Sequence, residues 1–192
     1  MLTFDEAKHE YTVDGRVIPG VTTILAPLMD FSMVDPALLE AGRQLGSAVH
    51  RATELYDQDD LDLETLPVEI TPYLTAWQRF RVECDFVPDS IETRLHHPIM
   101  GFAGTSDRTG SIRGKHAVVD IKKMLTLGPV IGLQLAAYKE LHNFHGHNIT
   151  ERYALGLRAD GTYRLEPFTD SKDYAVFLSL LNVHNWRKKH GK

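Results

Sequence analysis

Three polar residues stand close together between positions 104 and 123: Asp107 in GTSDRTG, then Asp120 and Lys122 in AVVDIKK. In a β-strand successive side chains alternate between faces, so Asp120 and Lys122 project together while Val119 and Ile121 enter the opposite layer. The turn chemistry of GSIRGK at 110–115 folds an upstream strand back alongside and brings Asp107 to the same edge. Two carboxylates and an ammonium placed there suit a divalent-metal site that cuts a phosphodiester. The acid-any-lysine spacing does not decide the matter alone, because Glu6-Ala7-Lys8 and Asp170-Ser171-Lys172 share it. Only Asp120-Ile121-Lys122 closes an apolar strand with an aspartate in its hairpin partner. A surface ion-pair cluster would satisfy the same spacing.

The elements that must position these residues are legible in outline. HEYTVDGRVIP alternates around Asp14-Gly15 and predicts a β-hairpin, and a short helix follows from Val21 towards Leu28. Asp35 as N-cap and Pro36 as first helical residue open a long helix whose Leu38, Leu39, Leu45, Val49 and Leu55 share a broad apolar face. That helix carries Gly46, which would permit close packing, and His50 one turn later. The acidic run ELYDQDDLDLE from Glu54 to Glu64 reads as leading into a solvated loop, and a helix is expected from Thr71 to Val87. Strands are expected at 90–95, 104–109 and 116–122. Gly128-Pro129 starts a helix that sets Gln134 and Tyr138 on one face, strands follow at 149–158 and 162–167, and a helix closes at 171–188.

With 192 residues, 43% of them hydrophobic, the chain suits one α/β domain: an N-terminal hairpin and helices over 1–88, a core over 89–170 together with the His50 helix, and a C-terminal helix over 171–192. A net charge of −5 argues against a uniformly basic surface but leaves room for a local basic channel. One cysteine, Cys84, permits no intrachain disulfide, and no export signal or membrane span is read, so a cytoplasmic protein is expected.

Taken in order, His50 in GSAVHRATE, Glu92 in IETR, Asp107 in GFAGTSDRTG, Asp120 to Lys122 in VVDIKK, and Gln134 with Tyr138 in QLAAY resemble the PD-(D/E)XK nuclease superfamily. The likeness is to its RecB-type and bacteriophage exonuclease branch, and HEYTVDGRVIPGVTTIL looks like the opening of phage-encoded members. The resemblance implies a restriction-endonuclease-like core, a mixed central sheet flanked by helices, and metal-dependent exonucleolytic hydrolysis of DNA in phage recombination or DNA processing.

It implies Asp107, Asp120, the Ile121 carbonyl and His50 as ligands of one or two Mg²⁺ or Mn²⁺ ions. Lys122 would orient the attacking water, and Gln134 and Tyr138 would orient the lysine or touch the phosphate backbone. Glu92 is either an accessory ligand or base, or an exposed strand glutamate. Lys123 departs from the threonine or serine that often follows the lysine, and a single cysteine excludes the iron–sulfur cluster of some related nucleases.

Arg43, Arg51, Arg108 and Lys123, with Arg113, Lys115 and Lys139, are candidates for DNA phosphate contacts. His142, His145 and His147 fit no structural zinc spacing and read as a solvated cluster at a helix end. The resemblance also leaves room for a recombination or single-strand-annealing partner and a homo-oligomer. Two other readings stay open: a structure-selective endonuclease or nickase of the same fold, and a catalytically silent DNA- or partner-binding module.

Overall fold

A computed structural model describes residues 1–29, 32–123 and 128–191. Strands β1 (Leu2–Asp5), β2 (Glu10–Val13) and β3 (Arg16–Ile18) form a small antiparallel sheet. The β2–β3 hairpin turns at Asp14-Gly15, both in the left-handed region as a two-residue turn requires. β1 was not legible as a strand; it pairs with β2 from Leu2↔Val13 to Asp5↔Glu10.

Helix α1 (Val21–Leu25) runs into a 3₁₀ turn, and α2 (Pro36–Asp57) begins as predicted, the Asp35 carboxylate accepting from the amides of Ala37 and Leu38 at 2.8 and 3.2 Å. Its expected apolar face is only half buried: Val49 is in the core, whereas Leu38 is 71% exposed. The first turns of α2 therefore overhang the body of the protein. Helix α3 (Thr71–Glu83) ends four residues before the expected limit.

The central sheet runs β4 (Val87–His97), β5 (Phe102–Ile112), β6 (Lys115–Lys122), β7 (Glu151–Leu157) and β8 (Tyr163–Pro167), antiparallel except for parallel β6–β7. Helices α4 (Val130–Phe144) and α5 (Asp173–His190) complete a mixed sheet flanked by helices, as anticipated. Alternation in β6 divides the core. Ala117, Val119 and Ile121 pack with residues of α2 and α3, while Val118 packs with α1, α4 and α5.

The strands carrying the acidic residues part company where they matter. β5 pairs with β6 only from Arg108↔Val119 to Ile112↔Lys115, although both strands continue beyond Arg108 and Val119. The amide of Ile121 takes no β5 ladder partner in that gap and donates instead to Asp107 Oδ2 at 2.6 Å. A carboxylate has been inserted between two strands.

Candidate metal centre

The opening between β5 and β6 gathers side chains from three elements. His50 of α2, Glu92 of β4 and Asp107 of β5 bring one potential ligand atom each to within 4.8 Å of one another. That spread suits a shell in which each ligand stands about 2.0–2.6 Å from one cation. His50 Nδ1 lies 3.6 Å from Asp107 Oδ1 and 3.9 Å from Glu92 Oε1. On its other side Nε2–H donates to the Ile121 carbonyl at 2.9 Å. The expected carbonyl ligand thus faces the expected histidine ligand.

Burial pushes the His50 imidazole down, but the Asp107 and Glu92 carboxylates outweigh it and raise the pKa to about 9. A cation would take over the proton's role between them. Glu92, left open between two readings, belongs to this group; its backbone stands at φ 46° inside a strand, a strained conformation that turns it out of the ladder opposite Asp107.

Asp120 and Lys122 share one face of β6 as predicted, with Lys122 Nζ 2.8 Å from Asp120 Oδ2. That Oδ2 atom is buried and faces the Lys122 ammonium. Oδ1 accepts from Gln134 Nε2 at 3.2 Å, and the same amide donates to the Tyr138 hydroxyl at 3.0 Å. Burial raises the Asp120 pKa to about 6 against the opposing pull of Lys122, and Asp107 adds to the rise. The Lys122 ammonium, which burial would weaken, is held in its charged form by Asp120 and Asp107. Asp120 lies outside the three-ligand group and beside it.

The pair on α4 lines the groove and is tied to Asp120. Gln134 reaches the aspartate rather than the lysine, and Tyr138 is buried in the core, its ring filling the space where a Cβ on Gly104 would come within 2.7 Å of it. Gly104 is what lets α4 lie this close to β5. Gly46 plays no such part, since a Cβ there would meet only the Lys123 side chain at 3.9 Å.

Arg43, Arg51 and Lys123 line a groove of about 850 Å³ that runs over the centre, although Arg51 is paired with Glu54 at 2.9 Å and Arg43 lies 4.0 Å from Glu40. Arg113, Lys115 and Lys139 do not line it. Arg108 must be corrected: it is fully buried, its Nε donating to Asp57 Oδ2 at 2.7 Å and one terminal nitrogen lying 3.3 Å from Glu92, so it is closed to DNA. Asp57, expected near solvent in the acidic run, has a fully buried side chain that also accepts from Trp77 and Arg81. His142 is likewise buried, against Ser106, and not part of a solvated cluster. Sequence reading missed Phe4, His9 and Arg94 in the groove; Arg94 stands two residues beyond Glu92, the spacing that marks one strand face.

A candidate exonuclease from Eubacterium rectale superposes with a TM-score of 0.52 at 12% identity, over 77% of this chain and 68% of its own. The chain shares its fold with that protein. This agrees with the mixed central sheet flanked by helices anticipated from the sequence. The alkaline exonuclease LHK-Exo of Laribacter hongkongensis is a more distant neighbour, at TM-score 0.43, 15% identity and 90% and 92% coverage of this chain and its own. Its complex with dAMP gives 0.47, 14%, 91% and 93%. No family model matches the chain, nor does any curated protein. Among the described residues no helix is long and apolar enough to cross a membrane.

Proposed function

We propose that the chain hydrolyses DNA phosphodiester bonds with Mg²⁺ or Mn²⁺. The observation that carries this reading is the meeting of His50, Glu92 and Asp107 in the split between β5 and β6, directly beside a buried carboxylate–ammonium pair. The donor set fits the ion: hard carboxylate oxygens suit both metals, one imidazole favours tolerance of Mn²⁺, and the buried Asp120 carboxylate stands beside them. When bound, such an ion withdraws charge from a phosphate and acidifies a bound water. Lys122, held protonated by the aspartates, presents an ammonium to the phosphate charge. Gln134 fixes the Asp120 carboxylate, and Tyr138 fixes Gln134.

Exonucleolytic action is the finer part of the proposal, supported by the fold shared with a candidate exonuclease. A role in phage recombination or DNA processing, with a partner protein or as a homo-oligomer, rests on the sequence likeness alone. End-labelled linear DNA and closed circular DNA incubated with Mg²⁺, Mn²⁺ or chelator provide the test. Loss of linear DNA from its ends, abolished by chelator and by Asp120→Ala or Lys122→Ala, is the expected result. Undiminished cleavage by both variants would overturn the site, cutting of circles would make the enzyme an endonuclease, and binding without cleavage would make it a silent module.

A further inference from the structure

We infer that the groove beside the metal centre contains a base-binding subsite, built by the N-terminal sheet, for the unpaired end of a DNA strand; this rests on the phosphodiesterase reading above. The sheet is fastened to the core beside the centre: Pro19 O accepts from the Ala103 amide at 3.0 Å, and the Tyr11 hydroxyl meets Thr105 Oγ1 at 2.7 Å. On it, planar groups from the sheet and from β4 converge on the Phe4 ring. Tyr11 lies 4.5 Å from the Phe4 ring, the Arg94 guanidinium lies 4.9 Å over Phe4, and His9 meets the Phe4 edge at 5.1 Å. His9 is exposed at the β1–β2 turn, in the left-handed region, with Nε2 3.4 Å from Thr22 Oγ1.

Arg94 pairs with the exposed Glu6 at 3.1 Å and lays its plane over Phe4, so it offers the groove a flat surface as well as a charge. A flat surface selects bases; an unpaired cation would select phosphates. The facing wall supplies the complement. Leu38, 71% exposed, lines the same groove from the overhanging turns of α2 together with Val34. At about 850 Å³ the space falls in the range of clefts that enclose a small organic ligand, which suits one or two unstacked nucleotides.

Fluorescence anisotropy in chelator, where no bond is cut, separates this from the hydrolytic reading. The probes are labelled oligothymidylates of about ten nucleotides, the same strands with abasic sites, and blunt duplexes. The thymidine strand is expected to bind about tenfold more tightly than the abasic strand, the scale of one base stacked on an aromatic platform, and more tightly than duplex. His9→Ala and Arg94→Ala should each collapse that base-dependent factor towards one. Arg94→Lys, which keeps the charge and removes the plane, should behave like Arg94→Ala. Equal affinity for thymidine and abasic strands, or tightest binding of duplex, overturns the subsite even if DNA is cut. Base-dependent binding in a protein that cuts nothing with Mg²⁺ or Mn²⁺ would keep the subsite and remove the nuclease reading.

Discussion

Two buried clusters of charge meet at neighbouring residues of β5, and they are built on opposite rules. Behind the metal centre, Asp57 accepts from Trp77 and Arg81 through Oδ1 and from Arg108 through Oδ2, while Arg108 also donates to Thr53, Glu92 and the Asp107 carbonyl. Every charge there is met by a partner of suitable geometry. In front, two carboxylates, Glu92 and Asp107, crowd against one nitrogen of His50, and burial raises the Asp120 carboxyl to about 6. A satisfied cluster holds a fold; an under-satisfied one is poised for something that is added.

The sharpest way to break this contrast is Arg108→Ala. Truncating Arg108 takes away the partner of Asp57 Oδ2 and leaves that carboxylate to Arg81 and Trp77 through Oδ1, at a cost of about 3 kcal/mol. In a domain of this size that corresponds to a fall in melting temperature of roughly 10 °C, measured by circular dichroism. An unchanged melting temperature would mean that the rear cluster is not structural. Asp120→Asn should do the opposite: retain or raise the melting temperature, because a desolvated carboxylate is replaced by a neutral isostere, while DNA hydrolysis falls about 10²–10³-fold. If both variants lost stability and activity in the same proportion, the two clusters would be one.

Gln134→Ala probes the support behind the front cluster. Gln134 touches Asp120 and Tyr138, so it is a positioning residue, and its loss should weaken Mn²⁺ binding by about 10- to 100-fold in calorimetry with little change in melting temperature. An unaltered Mn²⁺ affinity would show that Asp120 needs no such support.

The front cluster was legible because its residues come in short motifs with strand or helix spacing. AVVDIKK announces its own strand, and QLAAY its own helical face. The rear cluster was not, because its partners are distant: Asp57 and Arg108 are 51 residues apart, and each taken alone looks like a solvated charge. The strain at Glu92 is invisible for the same reason, since nothing in IETR requires a left-handed residue and only the neighbouring strand and His50 explain it. Leu38 failed in the other direction. Its helical period was right, but periodicity cannot say where a helix outruns the body it packs on.

Two histidines carry the comparison into pH. Carboxylates raise His50 to about 9, whereas burial lowers His142 to about 4, assisted by His147 and also by His145 and His116, with Asp89 opposing. The signs for stability are opposite in the metal-free protein. His50 binds its proton more tightly when folded, so its contribution is complete below about 6.5 and is lost as pH rises towards 9. His142 binds its proton less tightly when folded, so its contribution is complete above about 6.5 and is lost as pH falls towards 4. Its ring sits beside Ser106 Oγ at 2.7 Å, and Nδ1 has no hydrogen-bond partner that would share a second proton. Protonating it strands a charge in the core at a cost of about 1–2 kcal/mol, taken below the full shift to allow for solvent screening. Thermal melts in chelator between pH 7 and 5 should therefore show a shallower acid decline for His142→Gln than for the parent. His50→Gln should instead lose a stabilising contribution at the acid end and steepen the decline. Parallel curves for the two variants would mean that the two histidines do not differ in the way their surroundings require.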